Sequence, residues 1–238
     1  RATAIFLREP ETSVAWLQRM NADGKRICIT GDDAIELAAR QTPCASPNSI
    51  GVNLRLASYA GIQSGTVTTV REVLHRKADE VGSRLIGIPI SQVPQDADRH
   101  TINILAPEDR ELELMPWTTA AVIERVSHCR LVVTGSYHAG VFALAQGIPM
   151  VAIAQSEYYA GKFNGLARQF GCGCAVILSG EESFAAQLEN AVAQAWHTTD
   201  AVKAELRAAA ARQIAAGRTA YAQLQNLFPA GNHVARSR

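Results

Sequence analysis

No stretch of this chain stays apolar for the roughly 20 residues that a bilayer crossing takes. The longest candidate is broken by Gln146, Gly147 and Pro149. An excess of one charge is missing too: 23 Lys and Arg stand against 22 Asp and Glu, and the basic residues are scattered. That balance excludes a polybasic membrane patch and a nucleic-acid stripe. The terminal HVARSR is basic but short, and reads as a frayed tail. Cysteines are few and odd in number: Cys28, Cys44, Cys129, Cys172 and Cys174. In a chain of this length such a count does not make a disulfide framework. Cys172 and Cys174 form a C-x-C with no second pair or histidine cluster nearby to complete a zinc site. Small buried thiols in a reducing cytoplasm are the expectation, and with no signal peptide a cytoplasmic location follows. The chain opens on Arg1 rather than Met and reads as strand by residue 3. The expectation is that an N-terminal part is missing.

What is present is core material. With 47% hydrophobic and 19% charged residues, 238 residues can bury a sizeable core as one large domain or one and a half smaller ones. Residues 3–7 and 26–30 read as strands, with a helix between them that Pro10 opens and that runs to Met20, its apolar face being Val14, Leu17 and Met20. GDDAIELAAR starts a second helix, with Asp32 or Asp33 as its cap. The Pro- and Ser-rich segment 41–49 reads as a linker. Strands are expected at 50–58, 84–91, 131–134, 150–154 and 174–178. Helices are expected at 68–81, 96–105, 118–127, 136–146, 161–170 and 183–196. A Gly/Ser loop covers 59–66. One long helix is expected from Ala201 to Phe228, with a seam of Val202, Leu206, Ala210, Ile214, Tyr221, Leu224 and Phe228 and a kink at Gly217. Near-continuous apolar strands alternating with helices imply a doubly wound, Rossmann-like parallel sheet.

Four clusters carry candidate chemistry. In VVTGSYHAGVFALAQGIPMVAI an apolar strand ends in Thr134-Gly135-Ser136 and a helix begins at Tyr137 and His138. Ligands of such sheets sit beyond the carboxyl ends of strands. The N–H groups of Gly135 and Ser136 and the helix dipole are expected to favour an anion. The same dipole opposes protonation of His138, which suits an acid/base group; the alternative is a structural histidine capping the turn. Asn53 and Arg55, at the end of GVNLR, suit a carboxylate or phosphate, or else an exposed salt bridge. Tyr159 and Lys162, in SEYYAGK, offer a point charge before a helix, or simply a solvated helix start. Asp32 and Asp33 are the fourth cluster, with capping as the favoured role.

These same residues resemble the polysaccharide pyruvyl transferase family. The likeness rests on GVNLR, on the strand–His–helix–Gly-x-Pro–strand run from Leu131 to Ile153, on Tyr159-Ala-Gly-Lys162 before Gly165-Leu166, and on LREPETS followed by ITGDDA. It covers about Phe6 to Ile177. Ser136 stands where the family has a basic residue two positions before the histidine. The resemblance implies a GT-B-like architecture with the site in a cleft between two Rossmann-like domains. Residues 1–45 would close the first domain, 46–200 would form the second, and 201–238 would be a closing helix and tail. It also implies transfer of a pyruvyl group from phosphoenolpyruvate to two sugar hydroxyls as a ketal, with no cofactor and no metal. His138 would be the proton shuttle. Asn53, Arg55, Gly135, Ser136, Tyr137, Tyr159 and Lys162 would bind substrate. The partners would be phosphoenolpyruvate and a saccharide acceptor, with no nucleic acid and no membrane span; oligomeric state stays open. The rivals are a GT-B glycosyltransferase using a nucleotide sugar, for which Glu157 is the one acidic hint, and a non-catalytic sugar-binding relative.

Overall fold

The computed structural model describes residues 2–54, 64–91, 98–116 and 118–227. Arg55, the rest of the expected strand to residue 58, most of the 59–66 loop, Asp96, Phe228 and the HVARSR tail lie outside the described residues. Two sheets are present. The first is a pair of short parallel strands, β1 (Ile5–Leu7) and β2 (Ile27–Ile29), joined through helix α1 (Glu11–Arg19). Helix α2 (Ala34–Ala39) leaves the end of β2.

The second sheet has five strands, all parallel. They are β3 (Ser49–Asn53), β4 (Arg84–Gly87), β5 (Cys129–Thr134), β6 (Met150–Ala154) and β7 (Cys174–Leu178), in the spatial order β4-β3-β5-β6-β7. The connecting helices are α3 (Ser64–Val81), α4 (Asp98–Leu105), α5 (Glu111–Leu114), α6 (Thr119–Ser127), α7 (Tyr137–Ala145), α8 (Glu157–Phe170) and α9 (Phe184–Trp196). Strand residues alternate between two apolar layers. Ile50, Val52 and Val133 pack with Val70 and Leu74 of α3 and with Leu188 and Val192 of α9. Val132, Met150 and Ala152 pack with α7 and with Phe163 and Leu166 of α8. Burial on both faces is why these strands read as continuous apolar runs. Strand order reverses between β3 and β5, the place where open parallel sheets bind ligands.

Helix α7 is apolar all round, and every residue from Ala139 to Ala145 is buried. A methyl group on Gly140 would lie 2.2 Å from the Met150 sulfur, so glycine is what lets α7 lie this close to β6.

Several boundaries differ from expectation. β4 stops at Gly87: Ile88 gives the last ladder bond, to Val52 O, and Pro89 has no N–H to continue. α8 begins at Glu157, a turn earlier than expected, so Tyr159 and Lys162 are helical. α3 also begins early, at Ser64, and the short α5 was not foreseen. No residue of α1 is buried, and Met20 is 72% exposed, against the expected apolar face. Helix α10 (Asp200–Leu227) stays helical through Gly217, where an added methyl group would lie 3.8 Å from Thr30 O. It buries Leu206, Ala209 and Ala210 and packs on α7 and α8 before reaching α2. Tyr221, expected in the apolar seam, is exposed and donates its hydroxyl to Asp33 at 2.6 Å. Arg218 and Arg40 bracket Glu36 at 2.9 and 2.8 Å and hold its carboxyl at about 2. Among the described residues no helix is long and apolar enough to cross a membrane. All five cysteines are free thiols.

The outer edge of β4 is closed by side chains. Because Ile86 and Ile88 face β3, Gly87 points its backbone outward. Its N–H donates to Asp109 at 2.7 Å, and its carbonyl accepts from Arg125 Nε at 2.7 Å. Asp109 and Arg125 also form a buried ion pair with each other. An unpaired strand edge invites association, and this pair blunts it. Arg125→Ala strands a buried carboxylate. It should lower unfolding free energy by about 3–5 kcal/mol in urea titration. The apolar pair Asp109→Leu with Arg125→Met should recover much of that loss. A single-variant loss under about 1 kcal/mol would show that the pair is not holding the edge.

Candidate functional site

The site is built where β5 runs into α7. Asn53 pairs with Thr134 in register, and the Gly135 N–H donates to Asn53 O at 2.8 Å. The Ser136 N–H donates to the Thr134 hydroxyl at 2.8 Å. This corrects the sequence expectation: neither N–H is free, since one continues the ladder and the other closes a turn. Ser136 is buried, and its hydroxyl makes no cap. The open donors lie one step further on. Tyr137, His138 and Ala139 occupy the first turn of α7, where N–H groups have no acceptor within the helix and the dipole is positive.

The carboxyl ends of β1 and β2 meet this turn. Gly31, at φ +79°, swings the chain after β2 so that Asp32 faces α7. Asp32 Oδ1 accepts from Ala34 N–H at 3.0 Å, so it does cap α2 as expected. Its other oxygen lies 3.8 Å from His138 Nε2 and 3.7 Å from Arg8 Nη1. The Arg8 guanidinium stacks on the Tyr137 ring, 4.6 Å from its centroid. Tyr137 in turn meets His138 edge-on at 5.8 Å. Its hydroxyl is buried without a partner. Burial pushes that phenol well above its ordinary value and the Asp32 charge adds to the rise, outweighing Arg8, so Tyr137 stays neutral. The His138 side chain is 45% exposed, open enough for a solute to reach.

Glu9 fastens the first sheet beside this cluster. Its carboxylate is 2% exposed and accepts four hydrogen bonds, from the N–H and hydroxyl groups of Thr12 and Ser13, at 2.5 to 3.1 Å. It lies against Gly165 of α8, where a Cβ would come within 2.6 Å of Glu9 Oε2; at Gly161 a Cβ would meet Thr12 at 2.9 Å. Two glycines one turn apart thus let the start of α1 seat directly on α8.

The other candidates stand around this core. Tyr159 packs against the apolar core from the first turn of α8. The Lys162 ammonium lies 4.2 Å from the Tyr158 ring centroid and 5.5 Å from that of Tyr159, so its contacts are on its own helix rather than on His138. Glu157 opens α8. Asn53 is fully buried and donates to Ile88 O and Asp98. Arg55 lies outside the described residues. Arg8 was not singled out from the sequence; its signal lay in LREPETS, where an arginine follows a short strand. A guanidinium, a carboxylate, an imidazole and open N–H donors on one edge can hold an anion and move a proton.

A family profile described as polysaccharide pyruvyl transferase matches residues 1–157. None of the curated proteins matches the chain. Among solved structures, the glycotransferase of kitacinnamycin is similar at 17% identity and TM-score 0.55, over 95% of this chain and 55% of that one. The UDP-GlcNAc 2-epimerase of Methanocaldococcus jannaschii is similar at 10% identity and TM-score 0.59, over 94% and 62%. S. aureus MnaA, solved with UDP, is similar at 12% and 0.59, over 95% and 61%. At these identities the likeness is one of fold, and the fold is GT-B-like. The chain spans little more than half the length of these structures.

Glu9 gives this seam a pH signature. Burial would raise its carboxyl, but the bonds from Ser13 and Thr12 outweigh that and hold it below the ordinary 4.5. A depressed carboxyl contributes stability that is present above the unfolded value and is lost as pH falls through the folded one. Wild type and Glu9→Gln should therefore differ most in urea midpoint near pH 7, and the gap should close as pH falls below the ordinary carboxylate value of 4.5 and through the lower folded one. A gap that stays constant over that range would remove the ionised carboxylate from this account.

Proposed function

The chain belongs to the polysaccharide pyruvyl transferase family, and on that premise we propose that it transfers a pyruvyl group from phosphoenolpyruvate to a saccharide as a cyclic ketal. The observation that carries the reading is the meeting of Arg8 and Asp32 with Tyr137 and His138, across the carboxyl edges of the two sheets. The donor has a carboxylate and a phosphate. The first-turn N–H groups of α7 and the Arg8 guanidinium would grip one, with Lys162 and Arg55 as further cations. Ser136, where the family has a basic residue, is buried and turned inward; Arg8 brings a guanidinium to the same turn from β1. Holding both anions fixed supplies much of the rate, because donors aimed at developing charge need no reorganisation.

In the chemical step one sugar hydroxyl bonds to the enol carbon while His138 delivers a proton to the methylene, making it a methyl group. The second hydroxyl bonds to the same carbon and phosphate departs with the electron pair of its C–O bond. Of the two hydroxyl protons, one ends in the methyl group by way of His138 and the other on phosphate. Asp32, 3.8 Å from the imidazole, balances its charge when protonated. The half-buried Tyr137 ring keeps the Arg8 stack in place. Because the donor is a cytoplasmic metabolite, the reaction belongs in the cytoplasm.

Calorimetry on the full chain tests the donor. Phosphoenolpyruvate should bind and weaken at least tenfold in Arg8→Ala, while nucleotide sugars should not bind. His138→Ala should lower turnover by about 10²–10⁴-fold with the fold intact. Binding of a nucleotide sugar without phosphoenolpyruvate would make the protein a glycosyltransferase instead. Saccharide binding without turnover or donor would make it a non-catalytic relative.

A further inference from the structure

Helix α10 crosses α2 without closing on it. Between them lies a cavity of about 420 Å³, in the size range of small-ligand sites. A second cavity of about 250 Å³ adjoins it and shares Thr30, Asp32, Asp33 and Tyr221 with it. Asp32 walls both, and its Oδ2 is 3.8 Å from His138 Nε2. Arg8 walls the smaller one while it stacks on Tyr137. The cavities are thus one side chain away from the turn that carries the imidazole. Three carboxylates, Asp32, Asp33 and Glu36, share these walls with three guanidiniums, Arg8, Arg40 and Arg218. Asp32 faces Arg8 at 3.7 Å, and Glu36 is paired with Arg40 and Arg218 at 2.8 and 2.9 Å. Asp33 accepts the Tyr221 hydroxyl at 2.6 Å, which fixes a tyrosine that is 50% exposed. Gly217 lines the larger cavity. Gly140, Gly161 and Gly165 are pressed against neighbours, but a methyl group on Gly217 would meet only Thr30 O, at 3.8 Å, beyond its own helix. Glycine weakens a helix interior, and here packing does not demand it. What it preserves is the open space.

We propose that the cavity between α2 and α10 is a saccharide subsite, holding the sugar unit next to the one whose hydroxyls reach His138. The inference rests on the proposed reaction for the identity of its occupant. A free anion or cation would have to displace an ion pair already made. A neutral polyol need not. Each sugar O–H can donate to a carboxylate lone pair and accept from a guanidinium N–H, and both are left over here. A guanidinium has five N–H donors; Arg40 engages Glu36 through Nη2, and Arg218 through Nε and Nη2. The Tyr221 ring offers the C–H face of a pyranose an apolar platform. Its bond to Asp33 holds that platform in advance, so less freedom is lost on binding. The consequence is a preference for a saccharide chain over a free monosaccharide.

Calorimetry on the full chain tests this with lactose, cellobiose, mannobiose and chitobiose, with the methyl glycosides of galactose, glucose, mannose and N-acetylglucosamine, and with phosphoenolpyruvate. Wild type should bind at least one disaccharide, tenfold or more tightly than the matching methyl glycoside. Gly217→Leu fills the cavity with a good helix former and should weaken that binding tenfold or more. Tyr221→Ala should do the same, whereas Tyr221→Phe, which keeps the ring, should lose less. All three should leave the phosphoenolpyruvate Kd within about twofold. Because Tyr221 is exposed, its two variants stay informative whatever Gly217→Leu does to folding. The proposal is overturned if wild type binds none of the four disaccharides, or holds them no better than the methyl glycosides. It is also overturned if Tyr221→Ala binds the disaccharide like wild type, or if phosphoenolpyruvate binding falls in parallel. Disaccharide binding that depends on the cavity, in a chain that never binds phosphoenolpyruvate, would retain this subsite and reject the proposed donor.

Discussion

When the Gly135 N–H donates to the Asn53 carbonyl, it carries the β3–β5 ladder one residue beyond Thr134. The next N–H is taken by the Thr134 hydroxyl, so the chain has no slack before α7 begins. Two consequences follow from this constraint. The first-turn donors of α7 are fixed at the reversal of strand order, and His138 is placed beside them. α7 is itself held on every side by apolar contacts and by its close approach to Met150. A group on so confined a helix is held to a narrow geometry without help from its own hydrogen bonds. That leaves the imidazole free to face the cleft.

The reach of the sequence follows the range of the forces involved. The parallel sheet was legible because burial on both faces writes itself as unbroken apolar runs, as in LVVT and MVAIA. The strand–turn–helix at His138 was legible for the same reason. The state of individual N–H groups was not. Gly135 and Ser136 look open in sequence, and only the register with Asn53 and the Thr134 rotamer consume them. Asp32 read as a cap, and its Oδ1 is one; that its Oδ2 faces His138 depends on how two sheets sit together. Arg8 and Asp98 were passed over because isolated charged residues beside a strand or at a helix start look like solvated surface. Tyr221 was read by helical spacing as core, yet its hydroxyl is spent on Asp33 at the surface.

The two sheets are joined by short side chains more than by large ones. Gly161 and Gly165 remove bulk from α8 so that Thr12 and the hydrogen-bonded carboxylate of Glu9 can reach its backbone. Glu9 adjoins Arg8, and Arg8 lies over Tyr137. The seam and the site are therefore neighbours in sequence as well as in space. Any shift in how α1 seats on α8 moves the guanidinium that faces the first turn of α7.

Helix α10 gives the assembly a time order. Tyr221 bonds to Asp33 across 188 positions, and Arg218 to Glu36 across 182. Contacts this distant close late, because the entropy of a large loop must be overcome before they contribute anything. Synthesis runs from the N-terminal side, so β2 and α2 are made long before the helix that fastens them. The parallel sheet can collect its strands in the meantime, but Asp33 and Glu36, beside Asp32, wait for α10. A growing chain thus carries the imidazole before α10 has secured the segment that bears the carboxylate opposite.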